Sequence, residues 1–417
     1  MNEMLRIENV TAKSNTLVAR LDINHDLQKY FHSDLFLAEF DFDIEAVPPA
    51  LLVVPVVNNL IQVAWAVGVD LAVKVMDGAH FRSCHRLRQV FQEWYPGLSF
   101  RSEIRPAEIV DTKVGGSGTA MLYSGGVDST VTYIRHEPER PTSIIVDLEP
   151  AGIHPDIIEH AMRQAGGAHV VRSNLYSFLN RRQLDKDFGS HIEGSWWGGV
   201  QHGMGLLGLA APISSVRRTN HVLIAATHTK AFQIPWGSDP DIDNNVAWAD
   251  VTCCHDGYEL NRQQKLNDVI GSFIANTGHY PLLMVCNSYA RKRGRYNCCK
   301  CAKCAQAIVG MLIAGIDPRQ CGFGLSEKTL PWIKESLDTM AFFARKSDYR
   351  MWEDAFNSIP DDLSKIEEVV PGARAFIEWF RGLEFTYDDY FNKTCVMRDR
   401  PEYAVVVRDG EAELRAS

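Results

Sequence analysis

Apolar and polar positions change rhythm three times along this chain. Ala38, Phe40, Phe42 and Ile44 alternate with Glu39, Asp41 and Asp43, the period-two pattern of a half-buried strand, and Leu71, Val73 and Val75 repeat it. From Thr119 the pattern becomes short apolar runs (Ala120–Tyr123, Ser143–Asp147, Ala168–Arg172, His221–Ala225) separated by helix-length segments (Ser129–Arg135, Pro155–Ala165, Gly199–Ala211). Such runs are buried parallel strands, and their alternation with helices predicts an α/β fold, a doubly wound parallel sheet. Beyond Gly324, Thr329–Phe343 and Ala373–Phe380 carry helical periodicity and many aromatic residues. The chain therefore divides into an N-terminal α+β module (1–113), a central α/β domain (114–324) and a helical C-terminal region (325–417). The turn-rich Lys113-Val-Gly-Gly-Ser-Gly118 marks the first boundary.

At 417 residues, with 46% hydrophobic and 23% charged residues, the chain has the apolar content for a large core and a smaller one, which excludes disorder as its main state. A net charge of −9 gives no general attraction to nucleic acid, so any polyanion must be held by a local site. Ala46–Val69 runs 24 residues without a charge, but Pro48, Pro49 and Pro55 interrupt it and Asn58, Asn59 and Gln62 sit in its middle. Amides there are costly in lipid, so a buried helix or strand pair is expected, not a membrane span. The opening Met-Asn-Glu-Met-Leu-Arg does not read as a signal peptide, so secretion is not expected, and five of the ten cysteines crowd between Cys286 and Cys304. That crowding reads as metal ligation in a reducing compartment, the cytoplasm.

The most informative stretch is Ala120-Met-Leu-Tyr-Ser124-Gly125-Gly126-Val127-Asp128-Ser129. A strand enters two glycines and a helix starts at Asp128 or Ser129. Glycines let backbone N–H groups approach an anion, and a helix N-terminus adds unpaired donors and positive dipole. Ser124 and Ser129 complete a phosphate cradle, while Asp128 caps the helix or reaches a Mg²⁺ ion. It is neither a Walker loop nor a dinucleotide fingerprint; an ordinary strand-to-helix turn is the plain alternative. Ser-Gly-Gly-Val-Asp-Ser resembles the loop of the PP-loop ATP pyrophosphatase superfamily. That resemblance implies ATP cleavage between the α and β phosphates, with the departing pyrophosphate held by Ser124, Gly125, Gly126, Val127, Asp128 and Ser129.

Cys298, Cys301 and Cys304 form C-x-x-C-x-x-C, and Cys286 stands twelve positions earlier, after the apolar strand-like run Pro281–Val285. Four thiolates so spaced can close a tetrahedral Zn²⁺ site, with Cys299 as a rival to Cys298. Arg291, Lys292, Arg293, Lys300 and Lys303 surround them and favour thiolates. A redox pair or plain buried cysteines are the alternatives.

Together the two motifs resemble the QueC family of 7-cyano-7-deazaguanine synthases over roughly Thr119 to Gly315. The resemblance implies adenylation of 7-carboxy-7-deazaguanine followed by attack of an amine. It places Trp236-Gly-Ser-Asp-Pro240-Asp241-Ile-Asp243 in the substrate loop and makes Arg262 and Lys265, in Leu260-Asn-Arg-Gln-Gln-Lys-Leu, the phosphate-holding cations. Cys299 replaces the family's glycine, and Trp196-Trp-Gly-Gly-Val-Gln-His202-Gly stands where the family has an arginine-bearing helix start. The long flanks resemble larger family members of bacterial antiviral defence, in which the acyl group is joined to a protein amine.

Trp236 abuts a loop after a strand, where open α/β sheets place ligands, and is the aromatic residue best placed to stack on a flat heterocycle. His202 either faces the substrate or is a core histidine. Asp241 and Asp243 bind Mg²⁺ or the heterocycle's edge, or are solvated turn residues. Cys253-Cys254-His255 reads as strand. Other readings stay open: a synthase using ammonia, a tRNA-modifying enzyme with Arg291–Arg295 as its footprint, an inactive nucleotide-binding module, and flanks that serve homo-oligomerisation.

Overall fold

A computed structural model describes residues 4–148, 155–286, 296–343, 346–383, 403–408 and 411–416. Two units are distinct, Met1–Glu259 and Leu260–Ser417.

The strands of the first unit are β1 (Met4–Lys13), β2 (Thr16–Asp22), β3 (Leu35–Phe40), β4 (Asp70–Asp77), β5 (Ile104–Val110), β6 (Gly118–Leu122), β7 (Thr142–Asp147), β8 (Ala168–Ser173), β9 (Thr219–Ala225), β10 (Ala247–Trp248) and β11 (Val251–Asp256). They make one 11-stranded sheet in the order β10-β11-β9-β6-β7-β8-β3-β2-β1-β4-β5. Its helices are α1 (Pro49–Leu52), α2 (Val54–Val67), α3 (Gly78–Trp94), α4 (Val127–His136), α5 (Pro155–Gln164), α6 (Arg181–Phe188), α7 (His202–Gly208), α8 (Ala210–Arg217) and α9 (Pro240–Asp243), with a π-helical segment, Trp196–Gln201, leading into α7.

The five strands β8, β7, β6, β9 and β11 run parallel, and the four apolar runs read from the sequence are β6 to β9. The chain proceeds from β6 outward through β7 and β8, then returns to the other side of β6 for β9 and β11. The connection order thus reverses beside β6, and the carboxyl end of a strand at such a reversal is where open α/β sheets generally bind ligands.

The sequence places a boundary near residue 113, yet β1–β5 continue the same sheet. The join is β3 on β8, antiparallel, with Ala38 opposite Ser173 and Phe40 opposite Val171. Lys113–Gly118 is a crossing held to the fold, its Val114 and Gly115 N–H groups donating to Asp250. The pairing joins segments some 130 residues apart, which local composition does not register.

The uncharged run is α1 and α2. Every α2 residue from Val54 to Ala66 is buried, so the helix has no solvent face to carry charge. Its asparagines are satisfied: Asn58 Nδ2 donates to Met204 O (3.1 Å), Asn58 Oδ1 pairs with His80 Nε2 (2.8 Å), and Gln201 Nε2 donates to Asn59 Oδ1 (2.9 Å). Gln62 donates to Asn58 O (2.6 Å), while its Oε1 is buried without a hydrogen-bond partner among the described residues. Burial lowers His80 to about 4, keeping it neutral in this contact. Among the described residues no helix is long and apolar enough to cross a membrane.

The second unit holds α10 (Arg262–Gln264), a π-helical segment Lys265–Gly271, α11 (Ser272–Thr277), α12 (Ala302–Ile313), α13 (Thr329–Asp338), α14 (Lys346–Phe356), α15 (Ser364–Val369) and α16 (Ala373–Arg381). The C-terminal region is helical through Arg381, but it ends in an antiparallel pair, β12 (Tyr403–Arg408) with β13 (Glu411–Ala416). Pro281–Val285 is not a strand. It is tied instead by single bonds, Leu283 N–H to Cys321 O and Val285 N–H to Asn297 Oδ1, so no ladder forms.

Candidate functional site

Strand β6 delivers Tyr123 into the interior and Ser124 to the surface, and the chain turns through Gly125 at φ 74°. That backbone region is costly for any residue with a Cβ, which is why a glycine is needed there. Gly126 is the N-cap of α4, and no side chain caps it. A helix N-terminus of this kind directs its first-turn amides and the positive end of its dipole outward along the axis, the arrangement that suits an anion. Ser129 Oγ accepts from Ser124 N–H (3.2 Å), lies 3.1 Å from Ser124 Oγ and donates to Gly126 O (3.3 Å). Ser129 is thus a buried brace of the turn, whereas Ser124 is exposed. Asp128 lies half-buried in the first turn of a ten-residue helix, where a carboxylate complements the helix dipole.

A second element lies in the same unit, in the loop between β9 and β10. Gly237 is fixed by two backbone bonds, donating to Gly198 O and accepting from Gly203 N–H, both 2.7 Å. Trp236 rests over Gly198, where a Cβ would stand 2.4 Å from the indole. Half-buried rings then follow one another. Tyr176 is edge-on to Trp197 (5.0 Å), Trp197 edge-on to His202 (5.2 Å), His202 tilted to Trp236 (6.5 Å), and Trp236 edge-on to His228 (5.7 Å). Trp236 and His202, both named from the sequence, are therefore neighbours. His228 was missed; its signal is its place in Ala226-Thr-His-Thr, just past the end of β9.

The three loop aspartates differ. Asp241 is exposed and its N–H donates to Asp239 Oδ1 (3.0 Å), the N-cap of α9. Burial raises the Asp239 carboxyl above its ordinary range. Asp243 is fully buried, accepting from Ser238 Oγ (2.7 Å) and pairing with His255 Nδ1 (2.7 Å). Burial raises it as well, against the opposing pull of His255. Asp243 therefore lies beneath the loop and not on its surface, where the sequence reading put a ligand contact. Cys253, Cys254 and His255 are strand residues of β11, as read.

In the second unit Asn261 and Gln264 form a capping box that starts α10. Arg262 opens that helix, and Lys265, 1% exposed, opens the π-helical segment after it.

The same unit carries the cysteine cluster. The Sγ atoms of Cys286, Cys298, Cys301 and Cys304 all lie within 4.8 Å of one another and could hold a metal ion such as zinc. Two of their separations are 4.0 Å (Cys286 to Cys301) and 3.9 Å (Cys298 to Cys304). A tetrahedron of thiolates at the usual zinc–sulfur length of about 2.3 Å has edges of about 3.8 Å, so the set fits. Cys299 is outside it: its φ of 54° turns the chain, and its Sγ faces Asn297 O. Lys300 N–H donates to Cys298 Sγ (3.3 Å), and Cys304 sits in the first turn of α12. Sharing a proton with Cys286 pushes Cys301 up to about 12, and Cys286 and Cys301 push Cys304 up too. Four crowded thiolates need a cation among them, and one would reverse this order. Arg291, Lys292 and Arg293, with the rest of the Arg291–Arg295 segment, lie outside the described residues.

Compared with family models, curated proteins and solved structures, the chain matches none.

Proposed function

We propose that this chain is an ATP-dependent ligase of the PP-loop kind. It adenylates a carboxylate of the 7-carboxy-7-deazaguanine type, releases pyrophosphate, and passes the acyl group to an amine on a protein partner. The observation that carries the reading is the position of Ser124–Ser129: an uncapped helix start after β6, at the reversal of strand order. The parallel order β8-β7-β6-β9-β11 is what a doubly wound PP-loop sheet requires and supports the same assignment.

In this reading the triphosphate of ATP lies against the N–H groups of the turn. A carboxylate oxygen of the substrate attacks the α-phosphorus, the bond from that phosphorus to the bridging oxygen breaks, and pyrophosphate leaves. The amine nitrogen then attacks the acyl carbon, AMP departs with the bonding electrons, and the amine loses a proton. The protein supplies positioning and donors aimed at the charge that develops on the leaving group. Asp128 is the residue that would hold Mg²⁺, whose contribution is to neutralise phosphate charge. Trp236, with His202 beside it and Asp241 at the loop surface, would receive the planar acid. Zinc at the four cysteines would hold the second unit's fold and take no part in the chemistry, and such a thiol site suits a cytoplasmic protein.

The test is direct. Purified chain incubated with ATP, Mg²⁺ and 7-carboxy-7-deazaguanine should release pyrophosphate and form the acyl-adenylate, with AMP appearing in equal amount once an amine acceptor is added, and Asp128→Ala should release neither. Release of ADP and phosphate, or no carboxylate dependence, would rule the reading out.

A further inference from the structure

The buried pair Asp243–His255 has no role in the chemistry above, yet it is built with care. Asp243 ends α9 and is wholly buried; His255 is on β11, its side chain 1% exposed. Taking a carboxylate and an imidazole out of water is costly unless each finds a partner. Here one carboxylate oxygen meets both His255 Nδ1 and Ser238 Oγ, each at 2.7 Å. The neighbouring Asn244 Oδ1 accepts the His255 backbone N–H at 2.8 Å, a second tie between the segment after α9 and β11. The other Asp243 oxygen lies against Gly203, where a Cβ would come within 2.1 Å of it. Gly203 in turn donates to Gly237 O, and Gly237 and Ser238 are the two residues that follow Trp236. The contacts thus run unbroken from β11 through the carboxylate to the residue that carries the indole.

Other groups near the pair do not replace it. Asp239 and Asp241 are on the loop itself, Cys253 and Cys254 share the strand with His255, and Tyr258 packs edge-on to the imidazole at 5.5 Å. From α3, Arg86 reaches Asn245 Oδ1 and not the pair.

We infer that Asp243 and His255 are positioning residues: bonded to each other and, through Ser238, to the loop, they hold Trp236 and Asp241 in the arrangement that receives the planar acid. This rests on the proposed function for the nature of the ligand, but the placement of the loop can be tested without it.

The experiment uses the full chain and three variants. His255→Leu removes the donor, His255→Asn keeps one at the place of Nδ1, and Ser238→Ala deletes a single hydroxyl with little risk to folding. The first readout is hydrogen exchange of the amides from Gly237 to Ile242, without any ligand. Exchange in His255→Leu and Ser238→Ala should rise at least about tenfold, the scale of one lost bond to a charged group. Amides of β6 and β9 should not change, and His255→Asn should restore most of the protection. The second readout is pyrophosphate release: KM for the carboxylate should rise with KM for ATP unchanged. Unchanged exchange in the loop, or an equal rise across β9 and β11, would overturn the inference. If the unaltered chain releases no pyrophosphate, the proposed function falls, and the exchange result still decides on the pair.

Discussion

Ser124 Oγ and Ser129 Oγ stand 3.1 Å apart across the turn between β6 and α4, one exposed and the other buried. Two hydroxyls of the same loop thus have different tasks. Ser129 holds the turn's shape through Ser124 N–H and Gly126 O, while Ser124, at the exposed edge of the turn, accepts from Gly126 N–H (3.4 Å). Ser124→Ala and Asp128→Ala should each lower ATP-dependent pyrophosphate release at least about 10²-fold, the scale of removing one preorganised electrostatic group. Their melting temperatures should stay close to that of the unaltered chain. Ser129→Ala should lose stability as well as activity. Activity and thermal melting measured on the same preparations check the contrast.

The cysteine geometry makes a sharper prediction than the count of cysteines. Elemental analysis should find about one zinc per chain. Cys301→Ser and Cys304→Ser should lose the metal and destabilise the second unit, because binding the ion contributes folding free energy directly. Cys299→Ser should keep both metal and stability, since its Sγ faces Asn297 O. Loss of zinc in Cys299→Ser would mean that the ligand set is different.

Gly203, next to His202, packs directly on Gly237, next to Trp236. A Cβ there would stand 2.5 Å from Gly237 O, a backbone atom that cannot move without shifting Trp236. Gly203→Ala should therefore cost about 1–3 kcal/mol, the usual range for overpacking. A melting temperature unchanged by the substitution would show that the loop yields freely.

The end of α4 offers a pH-dependent contribution. Burial would lower His136, but its bonds to Glu139 (2.7 Å) and Asp256 (3.2 Å) outweigh that and raise it above its ordinary value. A raised value in the folded state means stability that is fully present below the unfolded histidine's value, about 6.5, and lost as pH climbs through the folded one. His136→Gln should thus lower the melting temperature more at pH 5.5 than at pH 8.5. An equal loss at both would show that the imidazole is not charged there.

How much of this was legible in the sequence depends on whether the signal was local. Ala120–Ser129 carried its strand, turn and helix in ten consecutive residues, and C-x-x-C-x-x-C carried three of the four clustered thiols in seven. Asn58, Asn59 and Gln62 spoke against a membrane span because an amide must find partners somewhere, though not where: Met204, Gln201 and His80 are distant in the chain. The pairing of β3 with β8 and the burial of Asp243 beneath its own loop were not legible, because each depends on a partner strand that no local pattern names. The same holds for Cys298 against Cys299, which a φ of 54° separates and spacing alone does not.

On the proposed function, a size argument favours a protein amine as the acceptor. Ammonia needs no docking surface, so a synthase using it gains nothing from strands β1–β5 before the phosphate loop or helices α13–α16 after the cysteines. A protein acceptor does need area, about 800 Å² on each side for a stable complex. With a net charge of −9, a protein amine is a better match than RNA, which calls for a broad basic face. The expected product is an amide joined to a protein amine, with no dehydration to a nitrile. Incubation with ATP, isotopically labelled carboxylate and a candidate partner protein should move the label into that protein, as a mass increase equal to the acyl group. Raised salt should disturb this transfer little, in contrast to an RNA acceptor, whose binding weakens steeply with salt. Efficient formation of the free nitrile from ammonia, with no label on protein, would decide for the synthase and against the ligase.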